Sequence, residues 1–257
     1  MTRVGVVLRP EIAPEALVEA ARAADAAGVD EVWLWEDCFF SGGLSTAALI
    51  LANTDRVNVG IGVLPTPMRN VASTAMEIAT IARVHPGRLR VGLGHGVQSW
   101  MGQIGARVQS PLTLLSEQMT ALTSLLAGDM VTVQGRYVLL DEVKLNWPPL
   151  QPPPLLVGAT GPKTLALSGR HSVGTILTSE TTPEQVRTAI DHIDGGPDHD
   201  VVVYVSVGSD SDAATIDIQR WIDAGATTVV LEPSADAADP TALFAHAASL
   251  TAHLSSQ

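Results

Sequence analysis

Three apolar runs in the chain end at residues that can hold or transfer protons. Asp37 and Cys38 follow "DEVWLW", His95 follows "RLRVGLG", and Thr178 with Ser179 follows "GTIL". A carboxylate accepts hydrogen bonds, an imidazole exchanges protons near neutral pH, and hydroxyls donate to phosphate oxygens. A thiol transfers protons only where its surroundings lower its pKa, and a buried unreactive cysteine is the commoner case. A structural role within its loop also stays open for His95.

The segment "GATGPKT", residues 158 to 164, predicts an anion site at the start of a helix. A helix N-terminus offers unpaired N–H groups, and the glycines allow a phosphate or carboxylate tail to approach the backbone. Lys163 adds a positive charge. The alternative is a tight loop with proline in the first helical turn, which by itself is the more frequent arrangement.

The loop "LPTPMRN", residues 64 to 70, is stiffened by Pro65 and Pro67. It joins the alternating run "VNVGIGV" to "VASTAMEIATIARV", whose apolar residues have helical spacing. Glycine before such a loop permits close approach of a ligand to the backbone. The alternative is an ordinary strand-to-helix turn, with Asn70 or Ser73 as the helix cap.

Strand-like and helix-like patterns alternate along the whole chain and predict how these loops are positioned. Eight strand patterns are found in 257 residues, and "VVVYVSVG" and "TTVVLEP" are each followed by a further helical pattern. This number of units predicts a (β/α)8 TIM barrel, an α/β fold in which chemistry lies on the loops after the strands. We expect one barrel domain over residues 1–257, with a proline-rich excursion at about 130–154. A doubly wound parallel sheet is the rival interpretation.

Composition excludes several classes of function. The net charge is −12 without a basic cluster, which argues against a nucleic-acid partner. The single cysteine excludes an internal disulfide, and the chain has neither a signal-peptide pattern nor an apolar run long enough to span a membrane. A soluble cytoplasmic protein is expected. The histidine pairs lack the spacing of a zinc site with a third ligand, so no metal is predicted, and "GLGHG" is not continued as a dinucleotide fingerprint.

Three segments carry a resemblance to a known family. They are "VWLWEDCFFSGG", "GIGVLPTPMRNVASTAMEIATIARVHPGRLRVGLGHG" and "LLVGATGPKTLALSGRHSVGTILTS". In this order and spacing they resemble the luciferase-like flavin and deazaflavin oxidoreductases, and within that family the branch that uses the deazaflavin coenzyme F420. The resemblance is weakest after about residue 180.

The resemblance implies a set of site residues. It implies a cis peptide at Gly62-Val63 in a bulge that backs the middle of the cofactor ring, Asp37 at the ring's polar edge, and His95 beside the ring. The implied catalytic residues are Asp37, Cys38 and His95. The implied cofactor-binding residues are Asp37, Gly62, Val63, Leu64, His95, Gly96, Gly158, Ala159, Thr160, Gly161, Lys163, Thr178 and Ser179.

Three positions depart from relatives in this branch. Cys38 replaces a histidine used for acid–base work, which puts alcohol oxidation in doubt and leaves reduction of a carbon–carbon or carbon–nitrogen double bond open. Val97 replaces the catalytic glutamate of the sugar-phosphate dehydrogenases, and Thr181 replaces a lysine near the cofactor tail. Glu36 is a second candidate proton donor, with a salt bridge at the barrel mouth as the alternative.

The resemblance implies hydride transfer between coenzyme F420 and a small organic substrate. Two alternatives stay open: a luciferase-like monooxygenase dependent on flavin mononucleotide (FMN), and a non-catalytic flavin-binding barrel. Homodimers are common among the relatives, so a homodimer is a further expectation.

Overall fold

Eight parallel strands close into a barrel in the computed structural model, which describes residues 2–207, 217–233 and 240–255. The order around the barrel is β1-β2-β3-β4-β7-β8-β9-β10, with β10 paired to β1. The predicted TIM barrel is therefore confirmed. The barrel strands are β1 (Arg3–Leu8), β2 (Glu31–Leu34), β3 (Asn58–Pro65), β4 (Leu89–Gly94), β7 (Leu155–Gly158), β8 (Gly174–Leu177), β9 (Asp200–Val207) and β10 (Thr228–Pro233).

Helices surround the barrel and cover its outer face. They are α1 (Pro14–Ala27), α2 (Gly43–Ala52), α3 (Val71–Val84), α4 (Gln98–Gln103), α5 (Pro111–Ala127), α6 (Pro162–His171), α7 (Pro183–Ile193), α8 (Gln219–Ile222) and α9 (Thr241–Ser255). The segment "VQSWMGQ" was expected in a loop, but part of it forms the short α4. The helical pattern after "VVVYVSVG" gives only the four residues of α8, and residues 208–216 lie outside the described residues.

The proline-rich excursion contains an antiparallel hairpin that was not predicted. Its strands are β5 (Val131–Gln134) and β6 (Leu139–Val143). The hairpin is short, and only alternate residues face the protein, so its apolar signal is weak beside those of the barrel strands. The excursion lies between α5 and β7.

Side chains alternate between two cores along each barrel strand. One face packs against the helices. The other fills the barrel with Val7, Trp33, Leu156, Ile176, Val202, Tyr204 and Val230. Trp33 and Tyr204 meet edge to face at 6.1 Å, and Gly60 leaves space for the Trp33 ring because a Cβ at this position would overlap it.

Charged side chains close the barrel interior at its amino-terminal end. Arg90 donates to Glu31 at 2.8 Å and also forms an ion pair with Asp200. The indole of Trp33 donates to Glu31 at 2.9 Å, and Arg3 forms an ion pair with Asp200 at 2.6 Å. Because Glu31 and Arg90 are buried, their charges depend on these partners.

Helix α3 begins directly after the stiff loop of β3. The Asn70 side chain accepts hydrogen bonds from the backbone N–H of Ala72, at 2.9 Å, and of Ser73, at 3.4 Å. Of the two predicted caps, Asn70 is therefore the one used. None of the described helices is both long and apolar enough to cross a membrane.

Candidate active site

The carboxyl end of β3 carries a bulge that forms a ledge at the top of the barrel. The pairing of β3 with β4 shifts register between Ile61 and Leu64, and the Gly62-Val63 peptide is cis. This confirms the predicted bulge and cis bond. A second cis peptide, Cys38-Phe39, was not predicted.

Val63 projects from this bulge toward two glycines, one at the end of β4 and one at the end of β7. A Cβ atom at Gly94 would lie 2.6 Å from Val63 Cγ2, and one at Gly158 would lie 2.7 Å from Val63 Cγ1. The absence of side chains at these two glycines is therefore what admits Val63. Val63 packs, partly buried, on the inner core of the barrel, and an apolar side chain at this place suits the face of a planar ring.

Asp37 lies just beyond the end of β2 and is half-buried. Burial is the main cause that raises the pKa of its carboxyl group, the negative charge of Glu11 raises it further, and Arg9 opposes the shift. Asp37 therefore keeps its proton to a higher pH than an ordinary aspartate does. A carboxyl group of this kind is suited to proton transfer.

An ion pair beside Asp37 was not found from the sequence. Arg9 Nη1 lies 3.1 Å from Glu232 Oε1, Ser206 donates to Glu232 at 3.3 Å, and the Arg9 guanidinium stacks on the Trp35 ring at 5.5 Å. The strand alternation gives a signal that could have found it. Arg9 has the same parity as Val7, which faces the barrel interior.

Cys38 and Glu36 lie in the same loop as Asp37, and each contacts another protein side chain. Cys38 Sγ lies 3.6 Å from Met68 Sδ, and burial together with the charges of Glu36 and Asp37 raises the pKa of the thiol. The thiol therefore stays protonated and is a weak nucleophile. Glu36 forms an ion pair with Arg69 and accepts a hydrogen bond from the Gly43 N–H at 2.8 Å. Of its two predicted roles, proton donor or salt bridge, the structure therefore shows the salt bridge.

His95 is directed toward the helices and not toward the barrel axis. Arg90, Gly92 and Gly94 contact groups inside the barrel, so the next odd position has the opposite orientation. His95 Nε2 lies 3.0 Å from the hydroxyl of Thr164 in the first turn of α6. Burial lowers the pKa of His95, and an interaction with the backbone of Pro111 opposes the shift. The neutral ring links the loop after β4 to the start of α6.

A cavity of about 470 Å³ opens between the loops after β7 and β8. Hydroxyl groups and the start of α6 border it. Gly161 occupies the cap position of α6 without a side-chain hydrogen bond. Pro162 has no N–H and the N–H of Thr164 donates to the Gly161 carbonyl at 3.0 Å, so the N–H of Lys163 is the donor that the first turn offers to a ligand. Four of the predicted binding residues, Ala159, Thr160, Thr178 and Ser179, line the cavity, whereas Lys163 is exposed in the first turn of α6 and is not among the lining residues.

The ledge and this cavity lie on either side of the end of β7, because Gly158 faces Val63 and the next residue, Ala159, lines the cavity. A larger cavity of about 610 Å³ lies at the opposite end of the barrel, against Pro152, Pro153 and Pro154. The carboxyl ends of the strands carry the chemistry in TIM barrels, so the smaller cavity is the candidate site. Among the described residues no group of His, Cys, Asp and Glu side chains is arranged to hold a metal ion.

Comparison with known proteins gives consistent matches. The model of the luciferase-like monooxygenase family matches residues 1–255. A 5,10-methylenetetrahydromethanopterin reductase of Methanolobus tindarius is 30% identical over 82% of this chain and 68% of that protein. An F420-dependent hydroxymycolic acid dehydrogenase of Mycobacterium tuberculosis is 33% identical over 67% of this chain, and the match spans about half, 52%, of that relative.

A solved structure confirms the fold over the greater part of the chain. The coenzyme F420-dependent tetrahydromethanopterin reductase of Methanopyrus kandleri superposes with a TM-score of 0.80 over 95% of this chain and 97% of that one, at 16% identity. At 16% identity this similarity concerns the fold alone.

Proposed function

This chain belongs to the luciferase-like monooxygenase family, and on that premise we propose that it is an oxidoreductase that uses the deazaflavin coenzyme F420. It transfers hydride between this coenzyme and a small organic substrate. The observation that carries the proposal is the bulge of β3, where Val63 lies against Gly94 and Gly158, together with the polar cavity between the loops after β7 and β8. Relatives of this chain that use the same coenzyme support the choice of cofactor.

The residues present fit the coenzyme. Val63 supplies an apolar backing for the ring in this proposal, with the backbone of Gly62 and Leu64 on either side, whereas the side chain of Leu64 is fully buried against Gly43 of α2. Thr178, Ser179 and the N–H group of Lys163 at the start of α6 supply donors for a phosphate tail. Gly96 borders the ring side in this proposal through its backbone, His95 acts through its contact with Thr164 of α6, and the exposed Lys163 adds positive charge outside the cavity.

The protein residues have separable roles in this mechanism. When bound, the coenzyme supplies hydride chemistry. Asp37 holds a proton at its carboxyl group and exchanges it with the substrate. Cys38 packs against Met68 as a protonated thiol, and neutral His95 positions the helix that holds the tail.

Two further functions are compatible with the same geometry. An FMN-dependent monooxygenase would use the same ledge and the same phosphate donors, and the family description favours it. A non-catalytic flavin-binding barrel would bind cofactor without turnover.

A homodimer is also part of the proposal, supported by the exposed apolar side chains of Leu49 on α2 and Met76 on α3, and sedimentation equilibrium tests it.

A charge introduced into the tail cavity tests the cofactor's orientation. Ser179→Asp is expected to weaken F420 binding about tenfold, because a carboxylate repels the phosphate by about 1–2 kcal/mol at this partly exposed place. The variant should leave the affinity for the deazaflavin chromophore without its phosphate tail within about twofold. Tryptophan fluorescence quenching measures both affinities.

Ser45→Asp is the matched control, because Ser45 is exposed on α2. Equal losses of affinity for F420 and for the tail-free chromophore in Ser179→Asp, or no loss for either, would show that the tail does not lie in this cavity.

A further inference from the structure

Large apolar side chains are exposed on the three loops that follow β2, β3 and β4. Phe39 is 63% exposed, Phe40 58%, Met68 40% and Val97 47%, and we call these four residues the apolar rim. A group of exposed large apolar side chains at a site marks a surface that binds an apolar partner.

The loops of the apolar rim touch one another. Cys38, next to Phe39, lies 3.6 Å from Met68 through the two sulfur atoms. Gly96, next to Val97, lies against the ring of Pro65, since a Cβ at Gly96 would be 2.9 Å from Pro65 Cβ. The loops that carry the rim are therefore in contact with one another, and Asp37 lies two residues before Phe39.

Two of the arginines beside the rim are paired with carboxylates, and a third, Arg107, keeps its charge while it donates to a backbone carbonyl. Arg9 is paired with Glu11 and Glu232, and Arg69 is paired with Glu36 and Glu77. Arg107, beyond α4, donates to the backbone carbonyl of Gln98 at 2.8 Å. The segments 208–216 and 234–239, which follow β9 and β10 in the chain, contain no lysine or arginine. A phosphorylated or carboxylated substrate would need unpaired cations or free N–H donors at this place.

We propose that the substrate of this site is a neutral molecule with a large apolar part, which binds on the apolar rim and directs its polar end to Asp37. This inference rests on the proposed function. It assigns Phe39, Phe40, Met68 and Val97 as residues that determine substrate specificity.

A neutral fluorescent dye tests the surface without knowledge of the substrate. Nile red is titrated into the wild-type protein, into the double variant Phe39→Ser/Phe40→Ser, and into the control Trp147→Ser/Leu150→Ser. The control removes two apolar side chains that are 72% and 86% exposed near the amino-terminal end of the barrel. The affinity for F420 and the mass in solution are measured for each protein.

The inference predicts at least a tenfold loss of Nile red affinity in the Phe39 and Phe40 variant, with at most a twofold change in the control. F420 affinity should change less than threefold in both, the mass in solution should be unchanged, and glucose 6-phosphate at millimolar concentration should not displace the dye. Removal of two phenyl groups justifies this magnitude.

Four results would overturn the inference. They are unchanged Nile red binding in the variant, displacement of the dye by glucose 6-phosphate, parallel loss of F420 binding, or a change of mass that identifies the rim as a contact between copies of the chain. Failure of the wild-type protein to bind F420 would instead refute the proposed function, and the dye titration would still report on the rim.

Discussion

Asp37→Asn is expected to lower kcat by about a hundredfold or more while changing the affinity for F420 less than threefold. General acid–base catalysis by a positioned side chain contributes about 10² to 10⁴ in rate, and asparagine has no proton to transfer at this pH. The oxidation of reduced F420 by a neutral unsaturated ketone, followed by absorbance, gives kcat. A titration of the variant with F420 gives its affinity for the coenzyme.

The pH profile separates this role from a structural one. Burial and Glu11 raise the pKa of Asp37, so in the reductive direction the protonated carboxyl group is active and the rate falls as pH rises through this raised pKa. That falling limb should lie above pH ~4, the ordinary pKa of aspartate, and should disappear in Asp37→Asn. Asp198→Asn, an exposed change before β9, is the control. An unaltered kcat and pH profile in Asp37→Asn would assign the proton to another group.

Arg90→Met is expected to destabilise the protein by about 3–5 kcal/mol. The change removes the buried one of the two cations that Glu31 and Asp200 share, and leaves only the partly exposed Arg3, at 3.3 Å and 2.6 Å. Breaking one partner of a buried ion pair has this magnitude. Chemical denaturation measures the free energy of unfolding.

Arg187→Met on the exposed face of α7 provides the matched control and should change the free energy of unfolding by less than about 0.5 kcal/mol. The double variant Glu31→Gln/Arg90→Met should recover part of the loss, because the neutral amide needs no cation. A loss below 1 kcal/mol in Arg90→Met would mean that the network does not support the barrel.

The barrel and its β3 bulge were predictable because their signals are local and repeated. Each barrel strand is an apolar run with a helical pattern after it, and eight such units predict closure. The Gly62-Val63 cis peptide came from the resemblance and not from the residues, since glycine before a proline-rich loop allows several turns.

Pairings between distant strands could not be predicted from one sequence. Arg9 and Glu232 are separated by 223 positions, and only closure of the barrel through β1 and β10 brings them together. The orientation of His95 follows from the alternation of side chains along β4. Arg90 faces the barrel interior, so residues at odd positions, His95 among them, face the helices. The β5–β6 hairpin was not predicted because its strands are short and face the protein on one side only.

The most direct test of the account is a fluorescence-quenching titration of the wild-type protein with F420 and, separately, with FMN. The five tryptophans supply the signal. We expect saturable binding of F420 with a Kd at least tenfold below that of FMN, a difference of about 1.4 kcal/mol. Tighter binding of FMN would assign oxygen-dependent chemistry instead, and failure of both to bind would contradict the cofactor site at the β3 bulge.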